Sequence, residues 1–105
     1  TTRGELISAP LLFQGPITGM DIRVADIFRQ AIVDSADSVI MVHNHPSGDP
    51  TPTKADIHAT ERAFLTGKLL DIEVRDHLVI ATRGFTSLRE QGLGFEVPKG
   101  FDRLK

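Results

Sequence analysis

The chain has 105 residues and a formal net charge of −2, and 40% of its residues are hydrophobic, the content of one ordinary globular domain. It has no cysteine, which excludes disulfides, thiolate metal sites and Cys nucleophiles, and which is compatible with the reducing cytoplasm, the expected location. A slight negative balance and six aromatic residues, all Phe, make nucleic acid an unlikely partner. No apolar run reaches membrane-spanning length and no signal peptide is evident, so no membrane partner is expected.

In chain order, Leu6-Ile7 and Leu11-Leu12-Phe13 read as strand residues broken by Pro10, which suits an edge or bulged strand. Gly15-Pro16 marks a turn and Thr18 to Arg23 a short extended piece. The period then changes: Val24, Ile27, Phe28, Ala31 and Ile32 recur at the spacing of an amphipathic helix, ended by Asp34-Ser35-Ala36-Asp37. Ser38 to Asn44 holds the apolar run Val39-Ile40-Met41-Val42 and reads as a buried central strand. A second helix opens at Thr53, with an expected inner stripe of Ile57, Ala59 or Thr60, Phe64, Leu65 and Leu69. Gly67 looks like a blemish in that helix, costing roughly 1 kcal/mol relative to Ala. Glu73 to Ala81 reads as a strand, Thr82-Arg83-Gly84 as a tight turn and Phe85 to Leu88 as the returning strand. Residues 91–105 are expected to form a weakly packed tail. The order β-β-α-β-α-β-β predicts one mixed sheet flanked by helices, an α/β fold of the α+β type.

Chemistry concentrates after the central strand. His43 and His45 stand at i and i+2, so both project from one face at the strand's end. A loop punctuated by Pro46, Gly48, Pro50 and Pro52 follows, and the helix it enters returns Asp56 toward the two imidazoles. Two histidines and one carboxylate leave the fourth tetrahedral position open, the ligand set of a catalytic zinc ion, here one per chain. Blander readings stand beside this one. His43 and His45 could be plain polar residues at a strand end. Thr53-x-x-Asp56 is also a capping box, which competes with a metal for the Asp56 carboxylate. Ser47 reads as a loop residue and His58 as a surface residue facing away from Asp56. Asp76-His77 could support a ligating histidine or be a satisfied polar pair in the sheet.

The stretch from His43-Asn44-His45-Pro46-Ser47-Gly48-Asp49-Pro50 to Asp56 resembles the signature of the RadC-like proteins, a bacterial branch of the JAB/MPN (JAMM) metalloprotease superfamily. Phe13 to Ile17, Asp76 to Ile80 and Phe85 to Glu90 resemble further family segments, so the resemblance covers roughly Leu6 to Gly92. It implies a JAB/MPN-like domain with zinc held by His43, His45 and Asp56, hydrolysing a peptide or protein substrate through a zinc-activated water. At position 53 the superfamily usually carries Ser, whose hydroxyl assists at the substrate carbonyl or oxyanion; Thr53 keeps the hydroxyl and adds a methyl. The general base of that mechanism is a Glu at the start of the domain's first strand. Aligned by Leu6-Ile7, this Glu would precede Thr1, and Glu5 falls too late to be assigned. The expectation is a domain truncated at its N-terminus that binds metal without hydrolysing. Rival readings are a non-catalytic protein-binding module, in which an exposed sheet edge would favour a homo-oligomer, and a DNA-repair role carried only by the family's historical label. The contiguous His-Asn-His does not have the spread arrangement of HNH nucleases.

Overall fold

The computed structural model describes residues 11–14, by their backbone, and residues 23–101. The elements run β1 (Leu11–Gln14), α1 (Val24–Val33), β2 (Ser38–Asn44), α2 (Lys54–Leu70), β3 (Glu73–Ala81), β4 (Gly84–Ser87) and a single-turn helix, α3 (Leu88–Gln91). The expected strand at Leu6-Ile7 and the Gly15-Pro16 turn lie outside the described residues. So does the extended piece from Thr18, except for Arg23, which is the extended N-cap of α1.

The sheet is mixed and its strand order is β1-β2-β3-β4. β1 and β3 both run parallel to β2, and β4 returns antiparallel to β3 through a tight turn. Parallel neighbours need crossover connections, which α1 and α2 supply. Both helices cover one face of the sheet. Ile27, Phe28 and Ala31 of α1 join Ala59 and Ala63 of α2 over Met41, Val74 and Ile72 in the core. The result is the α+β domain with a mixed sheet and flanking helices expected from the sequence.

Two features depart from simple patterning. The register between β2 and β3 slips: Val39 pairs with Val74 but Ile40 pairs with Asp76, leaving Arg75 as an extra residue. Side chains alternate with period two, so one extra residue reverses which face every later side chain takes. Without it Asp76 would follow Val74 into the core; with it His77 and Val79 do. The Arg89 guanidinium donates to the carbonyl oxygens of Val74 (3.3 Å) and Arg75 (2.9 Å), satisfying the bulged backbone.

The second departure is the inner stripe of α2. Asp56, Ala59, Thr60, Ala63, Phe64 and Gly67 are buried, whereas Ile57 and Leu65 are half-buried and Leu69 is exposed. Small and polar residues let this helix approach the sheet closely. Gly67 is part of that approach: a Cβ there would run into the Ile72 carbonyl oxygen, and the Gly67 carbonyl accepts the Ile72 N–H at 2.9 Å. The returning strand ends at Ser87, one residue earlier than expected, because Leu88 starts α3. Past Gln91 the backbone is irregular and mostly exposed, with Phe95 packed against the core and Phe101 buried. No helix among the described residues is long and apolar enough to cross a membrane.

Candidate metal centre

β2 carries His43 inward, fully buried, next to Met41 on the core face. His45 lies just past the strand's end, where its N–H still donates to the Ile80 carbonyl of β3 at 2.8 Å. That bond turns the chain so that the two rings meet edge to face, with centroids 4.7 Å apart. The following loop folds back on the site. Gly48 takes φ +86°, where a side chain is strained, and a Cβ would also press on Thr82 Oγ1 at 2.9 Å. Its carbonyl accepts the Arg83 N–H at 3.3 Å, which pins the loop to the β3–β4 turn. Ser47 stays within the loop, its hydroxyl oxygen accepting the Asp49 N–H at 3.4 Å. Asp49 braces the next turn by accepting the Thr51 N–H (3.0 Å) and O–H (2.7 Å), contacts that hold its carboxyl below the usual range.

Thr53 is the N-cap of α2. Its hydroxyl accepts the Asp56 N–H at 3.1 Å, and Asp56 Oδ2 accepts the Thr53 N–H at 2.7 Å, so the capping box is complete. Capping and ligation were expected to compete for this carboxylate. They need not, because the carboxylate has lone pairs for both: Oδ2 accepts the Thr53 N–H and faces His45 Nε2 at 3.1 Å, while Oδ1 lies 3.1 Å from His43 Nδ1. Burial alone would raise the Asp56 carboxyl, but the His43 hydrogen bond, the Thr53 N–H and the His43 charge outweigh it and bring the carboxyl down to about 2. A helix N-terminus also favours the anion.

His43, His45 and Asp56 thus come together, all buried, each offering one ligand atom within 4.8 Å of the others. This group can hold a metal ion. The hydrogen bonding around His45 sharpens the point. His45 Nδ1 lies 2.9 Å from the Asp49 carbonyl oxygen, which can only accept, so Nδ1 carries the proton. Nε2 faces Asp56 Oδ2, 3.1 Å away, and carries a lone pair there when the ring is neutral. Two electron-rich atoms at that distance are held together only by a cation between them, either a proton or a metal. A carbonyl fixing the tautomer of a ligating imidazole is the usual support for such a ligand. Nitrogen and oxygen donors with no sulfur suit a divalent transition metal.

Thr53 stands at the mouth of this group, exposed, at the head of α2. His58 is exposed on the outer side of α2. Two further residues border it: His77, which the sequence left open between supporting a ligating histidine and a polar pair in the sheet, and Thr60. His77, fully buried in β3, lies beside His43 with ring centroids 5.9 Å apart. Thr60, also fully buried, stands one helical turn past Asp56. Burial drives the His77 imidazole down to about 4; the negative charges of Asp56 and Asp76 oppose this and the neighbouring His43 and His45 add to it. The inward turn of His77 depends on the bulge at Arg75, which has no sequence signature; Thr60 was visible only as one alternative on the inner stripe.

A family model described as the RadC-like JAB domain matches residues 1–93. Curated relatives include a UPF0758 protein of Chloroflexus aurantiacus, 42% identical over 95 residues that make up 90% of this chain and 42% of that protein. A UPF0758 protein of Clostridium perfringens is 44% identical over 92 residues, covering 88% of this chain and 40% of that one. A third, from Bacillus pumilus, is 44% identical over 91 residues, covering 87% and 41%. The chain therefore spans about two fifths of the length of the relatives it matches.

Proposed function

The chain belongs to the RadC-like JAB domain family, and from that premise we propose that it is the metal-holding domain of a zinc-dependent hydrolase that cleaves peptide or isopeptide-type amides. The observation that carries the reading is the buried His43, His45 and Asp56 group, with His45 Nε2 aimed at the Asp56 carboxylate by the Asp49 carbonyl. Bound there, zinc would lower the pKa of a coordinated water toward neutrality and polarise a substrate carbonyl.

The chain's own residues divide the remaining tasks. Asp56 stays anionic throughout the neutral range because its carboxyl sits at about 2. His45 is held in one tautomer and one orientation by the loop it precedes. Thr53 uses its oxygen to accept the Asp56 N–H, which leaves its proton to donate to negative charge growing on a substrate oxygen. The proposed substrate is a peptide or protein chain, reached through loops outside this domain's core.

Zinc content per chain, measured by elemental analysis after dialysis against zinc-supplemented and then metal-free buffer, tests the site. The expected result is close to one zinc per wild-type chain and none in His45→Ala. A wild-type protein that retains no zinc, or a variant that retains it fully, would refute the assignment.

A further inference from the structure

Two sequence features lie outside the metal-holding group itself: the Asp76-His77 pair and the Ser87-x-x-Glu90 ending. Hydrogen bonds connect both to Asp56. We propose that His77 is a positioning residue for Asp56, acting through the Thr60 hydroxyl, so that β3 sets where the carboxylate on α2 stands. The proposal rests on Asp56 being a metal ligand, as inferred above.

Thr60 Oγ1 donates to the Asp56 backbone carbonyl at 2.7 Å and lies 2.6 Å from His77 Nδ1. A hydroxyl has one proton. Given to Asp56, it leaves Nδ1 as the donor in the second bond, so His77 carries a proton on Nδ1. A threonine bonding back to the carbonyl four residues earlier is common in helices and needs no histidine. Here the same oxygen also accepts from the sheet, which ties the first turn of α2 to β3. Asp56 is then held twice. Its side chain is fixed by the Thr53 N–H and its backbone by Thr60 and His77.

His77 is itself held by Asp76. Asp76 Oδ1 accepts the His77 N–H at 2.7 Å and the Arg89 N–H at 3.2 Å, and Oδ2 accepts the Ser87 O–H at 2.6 Å. Ser87 is the N-cap of α3, its hydroxyl oxygen accepting the Glu90 N–H at 3.1 Å. Arg89 of the same turn bonds the carbonyls of the bulge that turns His77 inward. The short helix, the bulge and the Asp-His pair therefore form one device that delivers an imidazole N–H to Thr60.

The test is metal affinity across conservative variants, read by competition with a chromophoric zinc chelator, with circular dichroism to confirm folding. His77→Phe keeps a ring and removes the donor. Thr60→Val keeps the shape and removes the hydroxyl. His77→Asn puts an amide N–H close to where Nδ1 stood, and Thr60→Ser keeps the hydroxyl. Expected are losses of about 10- to 100-fold in zinc affinity for the Phe and Val variants, near wild-type affinity for Asn and Ser, and a double variant no worse than either single one. Should His77→Phe not fold, Thr60→Val and His77→Asn decide the matter.

Wild-type affinity in Thr60→Val with only a lowered melting temperature would overturn the proposal while leaving the metal site intact. So would an Asn variant as weak as the Phe variant. A readout independent of metal separates this failure from failure of the zinc reading: two-bond proton–nitrogen spectra of metal-free protein near neutral pH should show His77 protonated on Nδ1. Protonation on Nε2 would overturn the relay even if zinc binds, and absence of zinc binding by the wild type would remove its functional meaning.

Discussion

The two ends of α2 are both buried against the rest of the domain, but they are buried for opposite reasons. At its start, Asp56 and Thr60 put polar atoms inside, and the exposed Thr53 closes the helix end over them. At its end, Gly67 removes a side chain so that two stretches of backbone can touch, and Asp71 closes the helix in the left-handed conformation at φ 58°. One end carries charge in a dry place, which is worthwhile only when something uses the charge. The other carries none and serves packing. Changes at the first end should therefore alter metal binding more than folding, and changes at the second should do the reverse.

The largest expected effect is at Asp56. Asp56→Ala should abolish zinc retention and also lower stability by about 1–2 kcal/mol through loss of the cap. Asp56→Asn separates the two effects. Its amide oxygen can still accept the Thr53 N–H, so the urea midpoint should fall less than in Asp56→Ala, by the lost charge interaction alone, while zinc retention is lost. An Asn variant that keeps its zinc would mean that the carboxylate is a cap and nothing more.

Next in size is the pH dependence of the metal-free protein. His77 drops from an ordinary 6.5 to about 4 on folding, so between those values the unfolded chain holds a proton that the folded chain does not. Stability must then rise with pH across that window, by about 3 kcal/mol in all. Acidification from 6.5 to 4 removes this contribution, and below 4 its slope vanishes. Asp56 acts lower down. Its carboxyl falls from 3.8 to about 2, so its contribution is present above 3.8 and is lost as pH falls through about 2. Urea titrations of wild type and His77→Asn at pH 4.5 and 6.5 check the first window. Equal pH slopes in the two proteins would show that His77 is not the group responsible.

Gly67→Ala tests the far end. In an exposed helix this change would stabilise by roughly 1 kcal/mol. Here the added methyl meets the Ile72 carbonyl and crowds Val74, so it should destabilise by about 1–3 kcal/mol. Zinc affinity should not change. A Gly67→Ala protein with normal stability but weakened zinc binding would dissolve the distinction between the ends.

The same contrast governs what could be read in the sequence. The start of α2 was legible because its logic is local: His-x-His, a proline-broken loop and Thr53-x-x-Asp56 lie within fourteen consecutive residues. The parallel β2 core and the period of α1 were legible for the same reason. Gly67 looked like a defect because its explanation is a contact with the Ile72 carbonyl, which exists only once the chain has turned at Asp71. The stripe of α2 was misjudged because hydrophobicity points to Leu65 and Leu69, whereas a close approach selects Ala59, Ala63 and Gly67. The inward turn of His77 was hidden because it depends on one extra residue in β3, held by an arginine from α3.

The smallest expected effect on stability, at Thr53, sharpens the comparison most. Thr53→Ala removes the hydroxyl that accepts the Asp56 N–H and should cost about 1 kcal/mol, whereas Thr53→Ser should cost little. If the hydroxyl were only a cap, any loss of function in the alanine variant would track its loss of stability. The geometry argues for more, because the cap uses the oxygen's lone pair and leaves its proton for another acceptor. Assayed on an amide substrate, Thr53→Ala should therefore lower kcat by about 100-fold or more, with zinc content unchanged and Thr53→Ser close to wild type. An alanine variant with full kcat and reduced stability would confine Thr53 to the helix end and leave the oxyanion to groups outside this domain.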